Sequence, residues 1–215
     1  KLARKYGNGR STIISMIQSF HGRTMGALKA TGQTKYQNGF APLPEGFKYT
    51  EANNIEMLDA TIDDDTCAIM LEVIQGEAGI IALDEAYLKH VEQVCAEKDI
   101  LFIIDEVQTG MGRTGYAFAH QKYGLHPDIV TMAKAIAGGV PMGAMLAKGT
   151  VAGTVALIIL IVLGLALAVA STLWVRDADP DPDIRYPWIG TGLMPVMLMG
   201  VTIAATALVL GRIIG

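Results

Sequence analysis

Two stretches of this chain carry no charged side chain, and they dictate the solvent in which each half can fold. No charge lies between Lys148 and Arg176, a run containing TVALIILIVLGLALAVASTLWV, and none lies between Arg185 and Arg212, a run containing GLMPVMLMGVTIAATALVLG. Each is long enough to meet the ~20 apolar residues that cross a bilayer core. Between them lies RDADPDPDIR, whose aspartates and prolines do not enter lipid and have to turn in water. Trp174, Tyr186 and Trp188 fall where aromatic side chains favour the membrane interface. The pattern predicts a two-helix transmembrane hairpin over about 151–175 and 189–211, with an acidic, Pro-rich loop at 176–185 and the lipid bilayer as its partner. The alternative is a buried helix of a large soluble protein, which two uncharged runs flanking a polar turn make the poorer fit.

Residues 1–148 answer to water. Short runs of Ile, Val and Met alternate there with amphipathic, charged stretches, the pattern of βα units around a buried and mostly parallel sheet. Strands are expected at 12–17, 67–74, 101–104, 129–133 and 144–146, and helices at 55–62 and 84–98. In the second helix Tyr87, Leu88, Val91, Val94 and Cys95 share one face. The net charge of −4 provides no basic field for nucleic acid. Cys67 and Cys95 lack metal-type spacing and read as small buried apolar groups in a reducing, cytoplasmic setting. The chain opens on Lys1, so its natural start is expected to lie upstream.

The chemistry concentrates in LFIIDEVQTGMGRTG, residues 101–115. Gly110, Gly112 and Gly115 spell G-x-G-x-x-G, but Asp105 to Thr109 separate them from the strand, whereas a dinucleotide fingerprint turns directly from strand to helix. Two carboxylates would also face the pyrophosphate, so the glycines read as a tight irregular loop. Asp105 closes an apolar strand, and ligands of open α/β sheets gather at the carboxyl ends of strands. An acid there suits the protonated nitrogen of a pyridine ring, which makes that ring an electron sink. Such a cofactor also needs an amine, and Lys134 follows the strand expected at 129–133. Taken singly, each residue has a plainer reading, Asp105 as a cap and Lys134 as a solvated side chain.

Together they are recognisable. DEVQTGMGRTG, then YG-x-x-PDI, then an alanine-lysine pair before a glycine-rich P-x-GA segment, resembles the class III aminotransferases of the fold-type I pyridoxal-phosphate group. SFHGRTMGALKATGQTKYQNGFAPLPEGF and LEVIQGEAG agree, and within the group the acetylornithine type is nearest, over residues 1–147. The resemblance implies a partial aminotransferase large domain for residues 1–148, with pyridoxal 5'-phosphate as cofactor and a homodimer as the intact assembly. It implies that Lys134 bonds the cofactor aldehyde and later moves a proton between substrate and cofactor carbons. Asp105 would pair with the ring nitrogen, Val107 would pack under the ring, and Gln108 would bond its phenolic oxygen. Phe20 and His21 would sit beside the ring, with Phe20 stacked on its other face. Arg23 and Glu77 would line the substrate pocket, where an arginine fork suits a carboxylate.

Alternatives stand beside these roles. His21 reads also as a plain loop residue, Arg23 as the start of a helix paired with a nearby acid, and Glu77 as a solvent-facing loop acid. Glu72 is either a supporting acid or a cap. His90, His120 and His126 read as structural or surface residues. The family's glycine-rich phosphate cradle, the threonine it lends to the neighbouring subunit, and its C-terminal small domain are expected outside residues 1–147. The function implied is transamination of N-acetylornithine or a related ω-amine with 2-oxoglutarate, in the manner of arginine biosynthesis. Two further readings are a small membrane or transporter subunit carried by 150–215, where IGTGLMPVMLMG resembles small subunits of tripartite tricarboxylate carriers, and an inert fusion fragment. Residues 1–148 would be cytoplasmic, and membrane-anchored if the hairpin inserts.

Overall fold

In the computed structural model, which describes residues 1–149 with Val151 and Ala152, the chain enters through a short helix, α1 (Leu2–Tyr6), and passes into β1 (Thr12–Met16). Two small helices, α2 (Met25–Ala30) and α3 (Thr34–Gln37), lead to β2 (Phe47–Thr50) and α4 (Ile55–Thr61). Asn54 starts α4 by accepting the Met57 N–H at 2.9 Å, an N-cap that satisfies one of the helix's free donors. Next come β3 (Thr66–Leu71), a two-stranded hairpin of β4 (Ile74–Gln75) and β5 (Ile81–Ala82), α5 (Glu85–Glu97) and β6 (Leu101–Asp105). A 3₁₀ turn at Ala119–Tyr123, β7 (Ile129–Met132), a second 3₁₀ turn at Lys134–Ala137 and β8 (Ala144–Ala147) follow.

Six strands form one sheet in the order β2-β1-β3-β6-β7-β8, parallel throughout except for the antiparallel β8 at its edge. The register sets Leu71 opposite Ile104 and Asp105 opposite Thr131. The inner strands β1, β3 and β6 are buried almost throughout, so they read as continuous apolar runs rather than alternating ones. Helix α5 lays Tyr87, Leu88, Val91 and Cys95 into the core with Ile69, Leu71, Phe102 and Ile104. Each such burial contributes roughly 1.5–3 kcal/mol. The helix ends where Asp99 takes a left-handed φ of +50° and the Ile100 N–H returns to the Cys95 carbonyl at 2.9 Å.

The parallel sheet and both expected helices are present. One strand differs: the run expected at 67–74 breaks after Leu71, and Ile74–Gln75 pairs with Ile81–Ala82 instead. Glu72 follows the break, buried, with its carboxylate accepting the Phe20 N–H at 3.0 Å. Strand β2, which the apolar pattern left out, is short and only half-buried. Cys67 and Cys95 are free and buried, and burial pushes both thiols up. The hairpin expected over 151–175 and 189–211, with its loop 176–185, lies outside the described residues but for its first two. Among the described residues no helix is long and apolar enough to cross a membrane.

Candidate active site

Four adjacent parallel strands end on one edge of the sheet, and their tips carry the residues singled out above. Past β1 come Phe20 and His21, past β3 come Glu72 and Glu77, at the end of β6 stand Asp105, Val107 and Gln108, and past β7 stands Lys134. Because β6 and β7 are neighbours in register, with Asp105 opposite Thr131, the acid and the lysine lie at adjacent strand tips. This is the edge at which open α/β sheets bind ligands.

The centre of the group is a buried pair. His21 Nδ1 lies 2.8 Å from Asp105 Oδ2, with the side chains 0% and 6% exposed. A carboxylate only accepts, so the geometry places a proton on Nδ1, and Nε2 has no partner among the described residues. Asp105 Oδ1 accepts the Val107 N–H at 3.0 Å. Two of the acid's roughly four lone-pair directions are thus used, and the rest can meet another donor. Glu72 approaches from β3 and anchors the loop by accepting the Phe20 N–H. Burial pushes the Glu72 carboxyl above the usual glutamate range, against the smaller downward pull of the Phe20 N–H. Buried Gln75 holds the same loop by donating to the Ile17 carbonyl at 3.0 Å. His21 is therefore not a plain loop residue.

Gln108 lies across Gly76 and donates to Glu77 Oε1 at 3.3 Å. A Cβ at Gly76 would fall 2.6 Å from Gln108 Oε1, so the glycine makes room for the amide. Glu77 is exposed, and its Oε1 is the acceptor for Gln108. Arg23 precedes α2 rather than starting it, and its guanidinium lies over Tyr36 (5.0 Å to the ring centre) and Phe20 (6.0 Å). Phe20 and Tyr36 meet edge to face at 5.2 Å. Stacking occupies the guanidinium face and leaves its N–H edge free for an anion. No salt bridge holds Arg23 among the described residues, so its alternative reading as the partner of a nearby acid gives way to aromatic stacking.

Lys134 is exposed and has a left-handed φ of +51°, a strained conformation for a residue with a side chain and one that clusters at functional sites. The loop after Gln108 folds back on itself. Gly112 N bonds the Ala117 carbonyl (3.3 Å) and Gly115 N the Gly112 carbonyl (3.1 Å), while Gly112 and Gly115 take positive φ. No helix opens at these glycines, in keeping with the rejected dinucleotide reading.

Sequence reasoning missed the grip of Glu72 on Phe20, the part of Tyr36, and a buried cluster of Glu106, Thr109 and His120. The last had a faint signal in the acid-to-threonine spacing of three residues within EVQT. His120, read above as structural or surface, is bound to Glu106; His90 pairs with Asp59 and His126 with Glu92. Among the described residues no group of His, Cys, Asp and Glu is placed to hold a metal ion.

A buried acid–imidazole pair thus stands at the tip of β6, and Lys134 follows the neighbouring β7. The aminotransferase class III family model matches residues 1–158, and the chain belongs to that family, whose cofactor is pyridoxal 5'-phosphate. It is 57% identical over 153 residues to the acetylornithine aminotransferase of Caldanaerobacter subterraneus subsp. tengcongensis, covering 69% of this chain and 39% of that protein. The solved N-acetylornithine aminotransferase from Stenotrophomonas maltophilia K279a is similar at 37% identity and a TM-score of 0.58, over 71% of this chain and 38% of the other. The ornithine aminotransferase from Toxoplasma gondii ME49 is similar at 30% identity and a TM-score of 0.64, over 68% and 37%. The chain spans about two-fifths of the length of the curated relatives it matches. The spare acceptor capacity of buried Asp105 fits the ring nitrogen of the cofactor, which is a donor when protonated.

Proposed function

We propose that these residues are the ring-holding part of a transaminase that moves an amino group from N-acetylornithine, or a related ω-amino substrate, to 2-oxoglutarate. The observation that carries the reading is the buried His21–Asp105 pair at the tip of β6, one strand from Lys134. Pyridoxal phosphate, when bound, supplies the electron sink for a carbanion at the substrate carbon. The chain supplies the rest. Asp105 holds the proton on the ring nitrogen, and His21 fixes the carboxylate through its other oxygen. Val107 and Phe20 would hold the ring between them, and Gln108 would donate to its phenolic oxygen. Lys134 Nζ would be the amine that holds the cofactor through its aldehyde, with loss of water, and would carry the proton at the reacting carbon. Arg23 receives a substrate carboxylate through its free N–H edge, and Glu77 shapes which amine is accepted. Relatives named for acetylornithine support that donor over other ω-amines. Incubation with pyridoxal phosphate and borohydride, followed by peptide mapping, is expected to label Lys134. A chain that takes no label there overturns the reading.

Residues 150–215 carry a separate proposal, a bilayer anchor, which rests on the two uncharged runs alone. Carbonate extraction is expected to leave the chain with the membrane pellet; release into the supernatant counts against the anchor. A homodimer is proposed for the whole protein on its family membership.

A further inference from the structure

Directly after Asp105, the chain buries a second carboxylate that the proposed chemistry does not use. Glu106 is 1% exposed. Its Oε1 accepts two hydrogen bonds from His120, the backbone N–H at 2.9 Å and Nδ1–H at 3.0 Å, and its Oε2 accepts from the Thr109 hydroxyl. Its backbone is committed as well: the Glu106 N–H donates to the Thr131 carbonyl on β7 (2.8 Å), and its carbonyl accepts from Gly110 N (2.9 Å).

We propose that Glu106 is a positioning residue, a clamp whose carboxylate ties together both ends of the loop carrying Val107 and Gln108; this rests on the pyridoxal-phosphate reading of the site. Glu106 and His120 are fourteen residues apart, and the stretch between them, exposed over 111–113 and 115–117, folds back through bonds such as Gly112 N to the Ala117 carbonyl. Three donors converge on one buried carboxylate, and without it each would be left unsatisfied inside the protein. They more than offset the upward push of burial, so the Glu106 carboxyl stays below the usual glutamate range. The clamp is stiff at both ends. A Cβ on Gly110 would meet the Glu106 carbonyl at 2.8 Å, so the loop start packs backbone on backbone, and the His120 ring stacks on Phe118 at 5.7 Å and 16°. The same residue reaches β7 just before Lys134, so one side chain and its backbone join the loop to both strand tips.

The test has two arms. Arg113 is exposed at the loop tip, so trypsin cleavage there reports loop opening in the cofactor-free chain. Glu106→Gln and Thr109→Val are expected to speed that cleavage on the order of tenfold, while Thr109→Ser, which keeps the hydroxyl, matches the parent. In the second arm, titration with pyridoxal phosphate followed by absorbance is expected to give a Kd raised on the order of tenfold for the first two variants and unchanged for Thr109→Ser. Should Glu106→Gln fail to fold by circular dichroism, the two Thr109 variants decide the matter. Equal cleavage at Arg113 in a parent chain that does label at Lys134 overturns the clamp alone. Faster cleavage with unchanged cofactor affinity overturns the positioning role. A parent chain that takes no label at Lys134 overturns the cofactor reading, and the positioning role with it.

Discussion

His21 Nδ1 stands 2.8 Å from Asp105 Oδ2, and both side chains are shut off from solvent. The imidazole thereby holds one carboxylate oxygen while the Val107 N–H holds the other, so the acid cannot swing away from the edge of the sheet.

Asp105→Asn keeps the volume but replaces one carboxylate oxygen by an amide NH2 facing the buried imidazole. The chain should still fold, and its affinity for pyridoxal phosphate should fall on the order of a hundredfold, the scale of breaking one partner of a buried pair. Spectroscopic titration of the cofactor checks this. An unchanged affinity would separate Asp105 from cofactor binding.

Gly76→Ala places a methyl group 2.6 Å from Gln108 Oε1. Gln108 is a long, half-buried side chain that can move, so the fold yields at little cost, within about 1 kcal/mol of the parent by urea unfolding. The Gln108–Glu77 hydrogen bond does not survive, and cofactor affinity should drop while stability holds. Loss of both together would mean that Gly76 serves the fold instead.

Glu72 and Glu106 are both buried, and their carboxyls are shifted in opposite directions. Burial raises that of Glu72; at Glu106 burial also pushes upward, but the His120 and Thr109 donors outweigh it. A raised acid binds its proton more tightly folded than unfolded, so Glu72 weakens the fold above the ordinary glutamate range and ceases to do so as pH falls into that range. Glu106 has the opposite sign: its contribution is full above the ordinary range and is lost as pH falls through its lowered folded value. Glu72→Gln, which still accepts from Phe20, should therefore gain stability over the parent at pH 7 and lose that advantage near pH 4. Urea unfolding at both pH values measures it, and a gain that persists or grows in acid contradicts the assignment.

Leu88 is fully buried on α5 against the sheet. Leu88→Ala should cost about 2–5 kcal/mol, the transfer of the lost methyl groups plus the cavity they leave. Denaturant titration reads it directly, and a loss below about 1 kcal/mol would mean that the helix repacks over the gap.

Much of the scaffold was legible because its signals are local. Tyr87, Leu88, Val91, Val94 and Cys95 recur at helical spacing, and α5 buries those five. The apolar run before Asp105 marked a strand with an acid at its end, and β6 is that strand. Strand β2 was harder, because FKYT is short, half-buried and carries a lysine. The break after Leu71 was harder still, since Val73 and Ile74 continue the apolar text while Ile74–Gln75 pairs with Ile81–Ala82 instead of the main sheet.

The sequence by itself determined that Asp105 closes one strand and that Lys134 follows another, because strand and helix periods are properties of neighbouring side chains and need no partner. The tertiary structure alone decided that His21 meets Asp105 across eighty-four residues and that β6 lies beside β7, which brings Lys134 to the same edge. Strand order and buried hydrogen bonds of this kind are settled when distant segments compete for the same interior. A donor buried there without an acceptor costs more than the loop entropy of reaching one.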